Sequence, residues 1–172
     1  MQIYLVLNTG SSSIKCQWFE AATLASVSHA QLDGIGSDAP RWRVAGVINE
    51  DQKLPTLTNE AALDFVLSRL QHLIMSYTLL AIGHRVVHGG NLFAAPVVIT
   101  GQIESQLQTL CSLAPLHQPF NLAGIRACKN LWPLVPHIAC FDTAFHQTQP
   151  TIARMFALPQ ALFARGIHRY GF

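Results

Sequence analysis

Four stretches of this 172-residue sequence gather residue types that can handle phosphate, a carboxylate or a divalent cation. The first is Asn8-Thr9-Gly10-Ser11-Ser12-Ser13, with Lys15 just beyond it. A Gly-Ser turn between two strands offers backbone N–H groups and hydroxyls in a tight concavity, which suits phosphate oxygens. Lys15 adds a point charge, and Asn8, at a strand end, can hold a hydrated cation. Asn, Gly and Ser are also what ordinary hairpin turns use, so on pattern alone a polar turn is the simpler reading. The stretch is not a P-loop, because the G-x-x-x-x-G-K-S/T spacing is missing and no helix follows.

The second stretch is Gly83-His84-Arg85-Val86-Val87-His88-Gly89-Gly90. An Arg in an apolar strand is costly unless paired, so Arg85 should meet a carboxylate or phosphate, or form an ion pair within the chain. His84 and His88 invite a zinc reading, yet residues four apart on a strand lie about 13 Å from each other and cannot share one metal without a sharp bend. The third stretch is Ala139-Cys140-Phe141-Asp142-Thr143-Ala144-Phe145-His146. Asp142 falls at the carboxyl end of an apolar strand, where open α/β sheets place their ligands. There it can hold Mg²⁺, take a proton, or merely cap the turn. The fourth, Leu113-Ala114-Pro115-Leu116-His117-Gln118-Pro119, is a Pro-bracketed loop that also reads as a rigid turn. One Arg, one Lys and one Asp in these places suggest phosphoryl transfer without fixing it.

Positioning these residues takes a particular order of elements. Four β-rich runs come first: Ile3 to Leu7, Ser13 to Phe19, Leu24 to Leu32 and Arg41 to Ile48. Short turn-rich gaps separate them, which predicts an antiparallel meander. A helix is expected after Thr58, a good N-cap, with Glu60 in its first turn and Leu63, Val66, Leu67, Leu70, Leu73 and Ile74 on one stripe. Leu79 to Val87 reads as a strand, Gln102 to Leu113 and Asn121 to Leu131 as helices, and Pro136 to Phe141 as an apolar and hence central strand. Strands first, then alternating helix and strand, describe a mixed sheet with helices packed on it.

Composition bounds the function classes. Half the residues are apolar and 12% are charged, about half the roughly 25% of ordinary soluble domains, which excludes intrinsic disorder. Such a chain is nearly all interior, or has surfaces that a partner covers. The net charge of +2, from 11 basic and 9 acidic residues, gives no basic footprint for nucleic acid. No apolar run approaches the roughly 20 residues of a membrane span, and MQIYLVLNTG reads as a strand rather than a signal peptide. Cys16, Cys111, Cys128 and Cys140 form no C-x-x-C pair, as expected of free thiols in the reducing cytoplasm.

Taken together, the four stretches resemble the acetate kinase family. They are Leu7 to Lys15, His84 to Gly90, Leu113 to His117 and Phe141-Asp142-Thr143-Ala144-Phe145-His146-Gln147-Thr148, in the family's order and approximate spacing between residue 3 and Phe172. The resemblance implies the acetate and sugar kinase, chaperone ATPase and actin superfamily. It implies an α/β fold: a ribonuclease H-like domain with a mixed five-stranded sheet flanked by helices. Residues 1–149 would form that domain and residues 150–172 the start of a second, nucleotide-binding one. The implied reaction is ATP plus acetate to ADP plus acetyl phosphate, with Mg²⁺. Matched to the motifs, Asn8 would help bind the metal, and Lys15 the nucleotide phosphates, in a loop lined by Ser11, Ser12 and Ser13. Arg85 would grip the acetate carboxylate, Val87, Leu116 and Phe172 would enclose its methyl group, and Asp142 would be the catalytic carboxylate.

The acceptor, a carboxylic acid of pKa about 4, is already ionised at neutral pH and needs no base, so Asp142 serves better to position metal and phosphate. Propionate kinases are similar and tend to carry a smaller residue where Val87 stands, so acetate is the expected substrate. An extra methylene is worth only roughly 1–3 kcal/mol, which makes propionate a poor substrate rather than an excluded one. Family members are about twice this long; a His-Gly-Thr-Ser-His segment and the adenosine-binding motifs do not appear here. The expectation is therefore the N-terminal half of the site, inactive alone, whose missing partner is the C-terminal domain, with a homo-oligomer left open. The alternatives are a stand-alone domain that binds a carboxylate, a phosphate or a protein partner without catalysis, and a ribonuclease H-like nuclease. The nuclease is the weakest, since only Asp142 stands at a strand end among 9 acids.

Overall fold

The computed structural model describes residues 1–170. Alternation of apolar and polar residues builds the first strands. In β1 (Gln2–Thr9) Ile3, Leu5 and Leu7 point inward, and in β2 (Ser13–Glu20) Ile14, Cys16 and Trp18 do so. The hairpin between them is closed by the Gly10 N–H donating to the Ser13 carbonyl at 2.9 Å. β3 (Ser26–Asp33) and β4 (Arg41–Gly46) continue the meander, with Ala30, Leu32, Trp42 and Val44 inward. A fifth strand, β5 (Glu50–Lys53), pairs antiparallel with β4.

Thr58 caps α1 (Asn59–Ile74), its Oγ1 accepting from the Ala61 N–H at 3.2 Å. The chain then alternates. β6 (Thr78–Val86) runs parallel to β1, and β7 (Val97–Val98) is a two-residue strand. α2 (Gly101–Thr109) tightens into a 3₁₀ turn at Leu110–Ser112, and α3 (Gln118–Leu131) starts three residues before the periodicity predicts, with Pro119 in its first turn. β8 (His137–Phe141) runs parallel to β6, and α4 (Ala144–Gln147), a 3₁₀ turn at Thr151–Arg154 and α5 (Gln160–Ala164) follow.

The strand order is β5-β4-β3-β2-β1-β6-β8-β7. Inside it lies the expected five-stranded core: an antiparallel β3-β2-β1 meander followed by the parallel β6 and β8. The sheet nevertheless has eight strands rather than five, because the β4–β5 hairpin extends one edge and β7 the other. β8 is not central, since only the two residues of β7 lie outside it. No helix among the described residues is long and apolar enough to cross a membrane.

One face of the sheet carries the core. Ile3, Leu5, Leu7, Trp18 and Trp42 pack with Ala62, Val66, Leu67 and Leu70 of α1. Val86, Ala139 and Phe141 pack with Leu107 of α2 and with Leu122 and Ile125 of α3. The opposite alternates, among them Val6, Lys15, Arg43, Arg85 and Cys140, are exposed among the described residues. α3 sits close against β1: a Cβ on Gly124 would lie 2.9 Å from the Thr9 Cβ and closer still to its Oγ1.

That contact yields a test. Gly→Ala inside a helix ordinarily gains about 1 kcal/mol in propensity, but overpacking costs about 1–3 kcal/mol where neighbours cannot yield. Thr9 is pinned at the end of a strand paired on both sides. Gly124→Ala should therefore lower the urea midpoint of unfolding without changing its slope, a net loss of about 1 kcal/mol. A raised midpoint would show that α3 has room to move.

Candidate active site

β1, β6 and β8 are parallel, so their carboxyl ends meet, and same-face residues stand side by side at that edge. Asn8, Arg85 and Asp142 all belong to the face opposite the helices. The Arg85 guanidinium joins them. Its Nε donates to Asp142 Oδ1 at 3.0 Å, its Nη2 to Asp142 Oδ2 at 2.5 Å, and its Nη1 to Asn8 Oδ1 at 3.1 Å. The partner that an Arg in an apolar strand requires is thus the Asp142 carboxylate, held in a two-pronged fork. Asp142 is itself fixed by its backbone N–H, which donates to the Val86 carbonyl at 3.1 Å. Three of the five guanidinium N–H groups are engaged among the described residues, leaving two for a ligand. The Arg85 side chain is 45% exposed, so the fork is reachable from solvent.

Lys15 faces Asn8 directly across the β1–β2 ladder and makes no ion pair or hydrogen bond among the described residues. Ser11 and Ser12 are exposed at the hairpin tip, and Ser13 is half-buried where β2 begins. A shallow hollow of about 270 Å³ is lined by Asn8 and Lys15 with Val6, Gln17, His29 and Gln31. The donors offered to a cation are one amide oxygen and one carboxylate, both hard oxygen ligands of the kind Mg²⁺ takes. No group of three or more His, Cys, Asp or Glu suited to a metal occurs among the described residues. This set fits a Mg²⁺ ion that brings most of its ligands as phosphate oxygens and water, not an all-protein cage.

Two of the three residues expected around a methyl group are described. Val87 is buried, 3% exposed, two residues after Arg85, whereas Leu116 is 73% exposed. Phe172 lies outside the described residues.

Beyond Val86 the chain leaves the sheet, and side chains satisfy the freed backbone. The N–H groups of Val87, His88 and Gly89 donate to Asn121 Oδ1 at 3.0 Å, Gln118 Oε1 at 3.2 Å and Thr143 Oγ1 at 2.9 Å. The Gly90 N–H donates to His88 Nδ1 at 2.8 Å. Gln118 Nε2 returns a bond to the His88 carbonyl at 3.0 Å, and Asn121 Nδ2 donates to the Thr9 carbonyl at 2.7 Å. Gln118, Asn121 and Thr143 are all buried, and sequence reasoning missed them. The available signal was position, because Gln118 and Asn121 fall on the same α3 stripe as Leu122, Ile125 and Cys128.

His84 and His88 do not face one another. His84 is buried and stacks on His137 with ring centroids 5.3 Å apart, while the His88 ring meets Tyr170 at 4.6 Å. His137 Nε2 lies 3.2 Å from the Trp132 carbonyl, which can only accept, so the proton is on Nε2. His137 Nδ1 then accepts from His84 Nε2 at 3.0 Å. Burial, with the neighbouring His137, pushes the His84 pKa down to about 3. Burial also lowers that of His137, partly offset by the Trp132 carbonyl.

The model of the acetokinase family matches residues 3–172. An acetate kinase of Rhodopseudomonas palustris is 44% identical over 177 residues, covering 99% of this chain and 44% of the relative. An acetate kinase of Deinococcus radiodurans is 40% identical over 98% of this chain and 43% of its own length. Among solved structures, a propionate kinase from Francisella tularensis superposes with TM-score 0.87 at 32% identity, over 99% of this chain and 45% of that one. The acetate kinase of Porphyromonas gingivalis gives 0.83 at 32% identity, over 100% and 45%. The chain thus spans less than half the length of the relatives it matches.

The histidine pair predicts an acid-sensitive fold. Both rings are neutral when folded, with pKa values below the ordinary 6.5, so the unfolded chain binds more protons once the pH drops under that value. Stability is full above about pH 6.5 and falls toward pH 3, by up to about 1.4 kcal/mol per pH unit for each extra proton. Between pH 6.5 and 5, above the carboxylate range, urea midpoints should drop in the wild type and drop less in His84→Gln. Equal slopes would remove the pair as the cause.

Proposed function

Because this chain belongs to the acetokinase family, we propose that it supplies the carboxylate-binding part of a site that transfers the γ-phosphoryl group of ATP to acetate, giving acetyl phosphate and ADP. The observation that carries this reading is the Arg85 fork. Its guanidinium is oriented by Asp142 and Asn8 at an exposed strand edge, with two N–H groups left over. Those two groups would take the acetate carboxylate, a planar anion that a guanidinium matches well. Val87, at the same strand end, would face the methyl group with Leu116 and Phe172.

Acetate is already an anion at neutral pH, so attack on phosphorus needs no base. Asp142 then works by geometry: its two oxygens fix the plane of Arg85, and the guanidinium offsets its charge so that a second carboxylate can approach. Lys15, with no partner among the described residues, would take phosphate oxygens beside Ser11, Ser12 and Ser13. Asn8 and Asp142 would hold Mg²⁺, which when bound shields the phosphate charge that repels an incoming carboxylate. On this reading residues 150–172 go with a second, nucleotide-holding domain, and the protein works in the cytoplasm. The four free cysteines suit a reducing compartment.

Propionate is the second reading, favoured by the 0.87 TM-score to a propionate kinase. Val87 separates the two, since a buried β-branched residue leaves less room than a smaller one. Val87→Ala should raise propionate use relative to acetate by about tenfold or more. An unchanged ratio of kcat/KM would place the methyl pocket elsewhere.

The deciding experiment traps acetyl phosphate as its hydroxamate from ATP, acetate and Mg²⁺, on this chain and on one of the relatives' length, each with Arg85→Ala alongside. Product formation that Arg85→Ala reduces by about 10²-fold or more supports the reading, given what lost charge-assisted positioning costs. Formation untouched by that substitution overturns it.

A further inference from the structure

We propose that Asn121 is a positioning residue that fixes the gap between Asn8 and Arg85. Parallel pairing of β1 with β6 ends at Leu7↔His84, one residue short of both site side chains. Past that pair β1 and β6 have no further partners in register with each other. The Asn121 side-chain amide takes over. Its Oδ1 accepts from the Val87 N–H at 3.0 Å and its Nδ2 donates to the Thr9 carbonyl at 2.7 Å. One planar amide, an acceptor toward one chain segment and a donor toward the other, bridges the two backbones.

The placement singles out the site. Thr9 follows Asn8 directly, and Val87 lies two residues after Arg85, so the amide spans the two strand ends whose side chains meet at 3.1 Å. Asn121 is 4% exposed, and in that setting its bonds are strong and costly to leave unmade. α3 brings it there through the contact of Gly124 with Thr9. An apolar residue could fill the same space, but it could not join the two backbones. Asn121 touches neither proposed ligand; it acts through Asn8 and Arg85.

This inference rests on the proposed function only for the identity of the ligand, and its test separates the two. The measured quantities are the Arg85 Nε–H cross-peak in ¹⁵N–¹H spectra, acetate affinity by NMR titration, and the urea midpoint. They are compared in wild type, Asn121→Leu, Asn121→Asp, Arg85→Ala and Leu70→Ala. Asn121→Leu removes both bonds. Asn121→Asp keeps the acceptor for Val87 but sets an oxygen against the Thr9 carbonyl, and it carries the test if the Leu variant does not fold. Leu70→Ala weakens the core on α1, away from the site.

The expected result is a shifted Arg85 cross-peak and about tenfold weaker acetate binding in the Asn121 variants. Leu70→Ala should lose stability with the peak in place. A peak that stays put in the folded Asn121 variants overturns the inference, as does an equal shift in Leu70→Ala. If wild type binds no acetate while the Asn121 variants still move the peak, the acetate reading falls and the positioning role stands.

Discussion

A guanidinium on an otherwise apolar strand has to be answered by partners, and the way Arg85 is answered organises this domain. Its fork reaches Asp142, just past the end of one neighbouring strand, and Asn8 on the other, so three strand ends converge on one cation. That convergence requires parallel pairing, because only parallel strands present their carboxyl ends together. Parallel pairing in turn requires long crossovers. α1 carries the chain from β5, at the far end of the meander, back to β6 beside β1, and α2 and α3 lie in the connection between β6 and β8. Helices that bridge strands in this way also bury one sheet face, which leaves the other for the polar residues of the site.

The burial asymmetry has a chemical counterpart. On the helix side, Gln118, Asn121 and Thr143 are enclosed and answered, holding the backbone from Val87 to Gly89. On the open side, charges remain accessible and, among the described residues, partly unanswered, as with Lys15 and the two remaining N–H groups of Arg85. Rigidity therefore comes from behind and reactivity faces forward. The fork keeps its shape because buried amides hold the strand ends, while its charge stays available at the surface.

Much of this was legible in the sequence, for reasons that differ from residue to residue. The first four strands announce themselves by alternation and turns, and α1 by its cap and stripe. Charged residues within apolar runs stand out, which is why Lys15, Arg85 and Asp142 could be singled out, and why Arg85 could be expected to find a partner. Which partner depended on strand order, which no local pattern carries. β5 was missed because Glu50-Asp51-Gln52-Lys53 has no apolar alternate. It exists through cross-strand pairs, Arg41 Nε with Asp51 at 2.5 Å and Trp42 Nε1 donating to Glu50 at 3.0 Å. The third strand begins later than expected because Leu24 adopts a left-handed backbone, φ 58°, in the preceding turn. Of the two buried amides of α3, Gln118 reads as part of a Pro-bracketed loop and Asn121 as the start of a helix, until the fold shows which side they face.

The separations along the chain carry a consequence for how the domain assembles. The meander joins neighbours, but Asn8 meets Arg85 across 77 positions, Arg85 meets Asp142 across 57, and Thr9 meets Asn121 across 112. Closing such loops is entropically expensive until the contacts that reward it exist, so long-range parallel pairing forms slowly. During synthesis the meander can fold as soon as it emerges, with one side of β1 still a bare edge. That edge, carrying Leu5, Val6 and Leu7, can recruit a foreign strand until β6 arrives and α3 locks it in place. The residues that prepare the site for its ligand thus also end the interval in which the nascent chain is most open to aggregation.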